Sequence, residues 1–284
     1  MSNTNTGIVV IYDKVQNRQG IDIFSNNLEF TSPIFSTSLE EAFSQITNRL
    51  FFYESPSEFM DNIKLHKNDI IFPTIWSGVD SRNRKLILPA ICEGYNLKYI
   101  GADAFAHAIC ADKSLSKKFC SYFNILSPNE IVINYDYPYY DSLSILKFPA
   151  VVKPNYEGSS IGISDNNIVN NLKDADLLIK KLQKKYTNLL IEEYIEGKEI
   201  SACIVGNNKN IKLFEIVKLI LDGNDYFKNK IWGYESKKGG NAVVTREIVT
   251  DIIDIELKNL FIDLFNSLGK VDFMRIDGRM KKVC

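Results

Sequence analysis

The sequence predicts an α/β domain built on a parallel sheet, followed by a second half of closely spaced strands with interleaved helices. Short apolar runs alternate with helix-spaced segments up to about residue 104, and alternation of this kind implies a parallel sheet covered on both faces. Farther on, apolar strands succeed one another across the turn signals Glu196-Gly197 and Gly206-Asn207-Asn208. Between the halves, the strand-like run Pro149 to Lys153 opens into a corner of small residues, Gly158-Ser159-Ser160.

The elements follow in order. Gly7–Tyr12 reads as a first buried strand. Leu39–Phe52 has helical apolar spacing, with Leu39, Ala42, Phe43, Ile46 and Leu50 on one side. Ser57–Leu65 is a short helix, and Asp69–Ile75 is a strand that stops at Trp76-Ser77-Gly78. Leu86–Tyr95 is helical and Lys98–Ile100 a short strand, which closes a first domain at residues 1–104. Asp112–Phe123 is an amphipathic helix broken at Pro128. Phe148–Pro154 is a strand, and residues 167–186 contain a helix. Leu189–Ile195, Glu199–Val205 and Ile211–Leu221 are strands, and residues 222–241, rich in Gly, Lys, Asn and Tyr, read as a mobile loop. Ile252–Leu268 is helical. Val271–Ile276 and Arg279–Val283 read as a last hairpin around Asp277-Gly278.

Composition bounds the function. The chain has 284 residues, 45% hydrophobic and 24% charged, which gives material for about two domains. A formal net charge of -1 offers no basic field for nucleic acid. The polar MSNTNT start and the short GIVVIY run after it predict neither a leader nor a membrane span. Five scattered cysteines with no CxxC pair predict reduced thiols and a cytoplasmic protein. His66 and His107 are the only histidines and neither has a partner at ligand spacing, so neither a zinc site nor a His-centred triad is indicated.

The run FPAVVKPNYEGSSIGIS, from Phe148 to Ser164, carries the clearest chemistry. An apolar strand delivers Lys153, and Glu157-Gly158-Ser159-Ser160 follows it. Glycines let backbone N–H groups approach phosphate oxygens, serines add hydroxyl donors, and lysine supplies a point charge. An ordinary hairpin corner with an exposed lysine has the same local composition.

Other segments stand in a familiar order with it: Ile100-Gly101 through Ala111-Asp112-Lys113, then KPxxEGSSxG, then Ile191 to Glu199 (IEEYIEGKE), then Gly269 to Met274 (GKVDFM). In these segments the chain resembles the ATP-grasp superfamily and, within it, the D-alanine–D-alanine ligases, over about residues 70–284. The resemblance implies an ATP-grasp fold after the N-terminal domain: two α+β subdomains, residues 105–188 and 189–284, that clamp ATP between antiparallel sheets. It also implies a reaction in which ATP phosphorylates a carboxylate and an amine displaces the phosphate, on an amino acid or related small carboxylate. Catalysis there is mainly positioning and charge neutralisation. Homodimers are common among the resembled ligases, although no segment here marks an interface.

The resemblance also implies roles for single residues. Lys113 reaches the ATP phosphates, although a surface lysine at a helix start is the plain alternative. Lys153 is a second phosphate contact. Glu157, Gly158, Ser159 and Ser160 form a flap over the phosphates, with the Ser159 hydroxyl close to substrate. The strip Glu192, Glu193, Tyr194 and Ile195 binds adenine, and Glu199 accepts the ribose hydroxyls, unless these carboxylates form only a solvated acidic patch. Lys237, in Tyr234-Glu235-Ser236-Lys237, approaches the transferring phosphate when its loop closes. Lys270 stands where the ligases have arginine and stabilises the developing oxyanion. Asp272 is a Mg²⁺ ligand, a hard oxygen for a hard cation.

The chain departs from the ligases in three places. Their Gly-Gly-x-Ser-x-Glu segment is replaced by Tyr12-Asp13-Lys14-Val15-Gln16-Asn17-Arg18, and their HGxxGEDG run by Trp76-Ser77-Gly78-Val79-Asp80-Ser81-Arg82. Both changes predict an altered substrate. Their Glu-x-Asn metal motif would follow where this sequence stops, at Cys284. That leaves open a truncated ligase or a nucleotide-binding paralogue with a weakened metal site, and predicts an open sheet edge at the last strand.

Overall fold

The computed structural model describes residues 6–13, 23, 33–74, 81–134, 139–207, 210–233 and 243–281. The chain divides into two compact units, residues 1–108 with 270–272, and residues 109–269 with 273–284.

The first unit is built on a four-stranded parallel sheet of β1 (Ile8–Ile11), β2 (Leu50–Tyr53), β3 (Ile70–Pro73) and β4 (Lys98–Tyr99), in the order β2-β1-β3-β4. Central β1 is buried along its whole length, as an uninterrupted Ile-Val-Val-Ile run requires when helices cover both faces. The helices are α1 (Pro33–Ser44), α2 (Pro56–Asn62) and α3 (Ile87–Gly94). Val9, Ile11, Phe59, Ile71 and Cys92 form the centre of the core. Ser55 caps α2 by accepting the Glu58 N–H at 3.1 Å, and Pro56 occupies the first turn, where its missing donor costs nothing.

One sequence expectation fails here. The helix predicted over Leu39–Phe52 ends at Ser44, and Leu50–Tyr53 is β2, paired in register with β1. The apolar residues 50–53 satisfy a helical stripe and a buried strand equally. Four bulky, largely aromatic neighbours with an open seat beside β1 settle on the strand. A buried polar network pins the sheet from beneath. Asp69 Oδ1 accepts the Gly7 N–H at 2.7 Å, Asp69 Oδ2 bonds His66 Nδ1 at 2.9 Å, and His66 Nε2 bonds the Tyr53 hydroxyl at 2.7 Å.

The second unit holds two antiparallel sheets. One comprises β5 (Glu130–Asn134), β6 (Ala150–Pro154), β7 (Ile168–Val169) and β8 (Asn188–Glu193), ordered β5-β8-β6-β7. Its helix α7 (Leu172–Gln183) buries Ala175, Ile179 and Leu182 and starts at the Asn171 cap. The other comprises β9 (Lys198–Asn207), β10 (Asn210–Leu221), β11 (Val244–Ile248) and β12 (Phe273–Met280), ordered β11-β10-β9-β12, with α8 (Ile255–Ser267) against β9. The remaining α-helices among the described residues are α4 (Ala104–Ala111), of which residues 104–108 belong to the first unit, α5 (Lys113–Ser121) and α6 (Tyr140–Leu143). A parallel-sheet α/β domain followed by antiparallel α+β sheets is the predicted fold class.

Three strands and a hairpin depart from expectation. β5, β7 and β11 are absent from the sequence reading, and no turn forms at Asp277-Gly278. β12 runs straight through Asp277-Gly278, antiparallel to β9. The turn signal is overridden by cross-strand pairing: Asp277 Oδ1 accepts the Ser201 hydroxyl at 2.7 Å, and Arg275 closes on the same carboxylate. Of the loop expected over 222–241, residues 222–233 are irregular backbone with isolated bridges Leu221–Asn224 and Gly197–Phe227, and residues 234–241 lie outside the described residues.

Candidate functional site

Four charged side chains from α5, β5, β6 and β8 meet within the second unit. Glu130 and Glu192 are directly opposite each other on β5 and β8, a like-charge pair that needs a cation. Lys117, on α5, supplies it and bonds both carboxylates, Glu130 at 2.7 Å. Lys153, on β6, closes on the other oxygen of Glu192 at 2.5 Å. Burial works against the Glu192 carboxylate, but the Lys153 and Lys117 cations overrule it and hold its pKa down to about 2. Burial also pulls the Lys153 pKa below the usual lysine value, against Glu192. Lys117 and Glu130 were missed in the sequence. The available signal was that Lys117 stands four residues after Lys113, on the same helical face.

Lys113 opens α5, where the helix dipole disfavours a cation. Its side chain turns away to carbonyl oxygens, those of Pro154 at 2.8 Å, Asn155 at 3.2 Å and Glu157 at 2.5 Å, while Asp112 caps the helix. Lys113 is thus fastened to the backbone that opens the serine corner. In that corner Ser159 and Ser160 both adopt left-handed backbone, φ 50° and 59°. Two consecutive non-glycine residues in this region are strained, and such strain gathers at ligand-gripping turns. Gly162, at φ +71°, is obligatory as well, since a Cβ there would lie 2.9 Å from Pro154 Cγ. The Ser160 hydroxyl donates to the Trp232 carbonyl at 3.2 Å.

The strip after β8 is held from one side by Arg279. Its guanidinium donates to Glu199 Oε1 through Nε at 2.9 Å and Nη2 at 2.7 Å, to the Ile195 carbonyl at 2.8 Å and to the Lys230 carbonyl at 2.8 Å. It stacks on Tyr194 and Phe227, 4.9 and 5.6 Å from the ring centroids. Tyr194 donates its hydroxyl to the Lys230 carbonyl at 2.8 Å, and Gly197 and Phe227 exchange backbone hydrogen bonds. Glu193 lies near the surface and is held by Asn129 and the Lys147 N–H. Arg279 stands in no motif of the sequence and reads there only as part of the expected hairpin.

Lys270 and Asp272 sit in the first unit, around Gly101. Lys270 Nζ donates to the Gly101 carbonyl at 2.7 Å and lies 3.9 Å over the Tyr99 ring. Asp272 Oδ2 accepts the Gly101 N–H at 2.8 Å and Lys270 at 3.3 Å. Among the described residues no three His, Cys, Asp or Glu side chains gather as a metal-binding group. With one Asp272 oxygen already committed, the described donors do not fit a resident Mg²⁺. Lys237 lies outside the described residues, as do residues 14–18 and 76–80 of the departing segments.

A family model described as "D-ala D-ala ligase C-terminus" matches residues 121–283. A D-alanine–D-alanine ligase of Pelagibacter ubique is 31% identical over 205 residues, covering 70% of this chain and 61% of that protein. One of Wigglesworthia glossinidia brevipalpis is 28% identical over 279 residues, covering 94% and 75%. The crystal structure of the Bacillus anthracis ligase complexed with ATP superposes with a TM-score of 0.69 at 17% identity, covering 98% of this chain and 83% of that one, a likeness of fold. The chain spans about six-tenths of the length of several curated relatives it matches.

Proposed function

The chain belongs to the D-alanine–D-alanine ligase family by its C-terminal portion, and from that premise we propose that it is an ATP-dependent carboxylate–amine ligase. A substrate carboxylate oxygen attacks the γ-phosphorus of ATP, the bond to the β–γ bridging oxygen breaks, and ADP leaves with that electron pair. The amine of a second substrate then attacks the acyl carbon, inorganic phosphate departs, and the amine gives up a proton as the amide forms.

The observation that supports this reading is that two lysines, one by its side chain and one by its strand, converge on the backbone that leads into the serine corner, with the Lys153 ammonium itself resting on Glu192. Lys113 is bonded to the carbonyls that open it, and Lys153 stands on the strand that leads into it. These cations and the N–H groups of Glu157, Gly158, Ser159 and Ser160 hold the polyphosphate, where preorganised positive charge stabilises the transferring group. The edge Glu192, Glu193, Tyr194 and Ile195 receives the adenine and Glu199 the ribose. Lys270 offers charge to an oxyanion, and Lys237 acts from its own loop. ATP arrives as its magnesium complex, for which Asp272 is the candidate oxygen.

The substrate is an amino acid or related small carboxylate. The relatives are named for D-alanine, and the changed segments at residues 12–18 and 76–82 support an altered preference. The four described cysteines are free, and no described helix is long and apolar enough to cross a membrane. A cytoplasmic location fits both. The test is ADP release from Mg-ATP across a panel of D- and L-amino acids and hydroxy acids. Release is expected with some pair and lost in Lys153→Ala. ATP binding without ADP from any acceptor overturns the ligase reading.

A further inference from the structure

We infer that Arg279 is a specificity-determining positioning residue for the nucleotide, one that turns Glu199 into a single-oxygen acceptor for a ribose hydroxyl. The inference rests on the nucleotide reading of this strip and adds a residue to it. Both Arg279 bonds to Glu199 fall on Oε1, so Oε2 takes neither. A carboxylate pinned through one oxygen has a fixed plane, and its second oxygen points in one direction. Arg279 and Glu199 are mostly sheltered, at 12% and 19% side-chain exposure, so the pair is not a solvated surface contact.

Arg279 fixes the rest of the strip at the same time. It bonds the Ile195 carbonyl, stacks on Tyr194, and reaches the Lys230 carbonyl. The planar five-donor fork suits this convergence, and a lysine would satisfy one or two of these acceptors at a time. The charge also neutralises Glu199 in place, so an incoming triphosphate meets no bare carboxylate. Arg279 thereby acts on the sugar end of the nucleotide, whereas Lys113 and Lys153 act on the phosphates.

The experiment measures dissociation constants of the full chain for ATP, 2′-deoxy-ATP, 3′-deoxy-ATP and inorganic tripolyphosphate, with Arg279→Met and Arg279→Lys beside the wild type. The wild type is expected to prefer ATP over at least one deoxynucleotide by about tenfold, the worth of one hydrogen bond to a charged acceptor. Arg279→Met is expected to bring that ratio to within about twofold and to leave tripolyphosphate affinity unchanged, which also shows that the variant is folded. Arg279→Lys is expected to retain part of the ratio, and it decides the matter if the methionine variant does not fold. A ratio preserved in either variant, or a ratio that falls only together with tripolyphosphate affinity, overturns the inference. A wild type that binds tripolyphosphate and ATP with no ribose preference overturns it as well and leaves the phosphate site standing. A wild type that binds neither overturns the nucleotide reading itself.

Discussion

Lys153 and Glu192 lie on adjacent strands of one sheet and meet at 2.5 Å, with Lys117 on the opposite oxygen of the same carboxylate. The cation proposed to meet phosphate is thus stored against an internal anion. Replacing Lys153 by Met leaves Glu192 with Lys117, so the stability loss is moderate, about 1–2 kcal/mol by urea titration, rather than that of a stranded buried charge. ATP affinity falls at least tenfold by calorimetry. Wild-type affinity in this variant removes Lys153 from the phosphate site.

The same carboxylate sets an acid limit. Its folded pKa is about 2 against an ordinary 4.5. A lowered pKa means that the stabilisation is complete above pH 4.5 and is lost as pH falls from 4.5 toward 2, by about 3 kcal/mol at most. Urea midpoints recorded from pH 6 to 2.5 are expected to drop across that window, and the drop is expected to shrink in Glu192→Gln. An equal drop in both proteins assigns the acid loss elsewhere.

Gly197 cannot carry a side chain. Its φ is +153°, and a Cβ there would stand 2.3 Å from the Met280 carbonyl oxygen. Gly197→Ala is therefore expected to cost on the order of 3 kcal/mol in thermal or urea unfolding. A variant within 0.5 kcal/mol of wild type, roughly the range of neutral surface changes, contradicts this close approach.

Asp69, 1% exposed, serves the Gly7 N–H, Arg49 and His66 together. Burial favours its neutral acid, but the His66 hydrogen bond, the Gly7 N–H and the Arg49 charge hold its pKa low. Asp69→Asn loses one acceptor and the charge, and is expected to cost about 2–4 kcal/mol by urea unfolding. A cost below about 1 kcal/mol would show that the network is dispensable.

Much of this protein was legible before its structure. The alternation of strands and helices to residue 104 gave the parallel sheet, and the KPxxEGSSxG run placed Lys153 on a strand and the serines at a corner. Legibility stopped where one local pattern serves two structures. Residues 50–53 satisfy both a helical stripe and a strand, and Asp277-Gly278 signals a turn that long-range pairing with Ser201 overrides. Lys117, Glu130 and Arg279 stayed hidden for a related reason. A charged residue in a polar stretch reads as solvated until the fold brings its partner, eighty positions away for Arg279 and Glu199, within reach.

The stretch from Phe227 to Gly233 is sewn down along both borders. On one it is bound by Gly197, the Tyr194 hydroxyl and Arg279. On the other the Asp165 carboxylate takes the Ile231 N–H at 2.8 Å, and the Ser160 hydroxyl reaches Trp232. The serine corner therefore cannot lift without tugging a ribbon that is also stitched to the opposite rim. Amide exchange at Gly197, Phe227 and Ile231 is therefore expected to share one opening rate. Unequal rates would show that the ribbon gives way seam by seam.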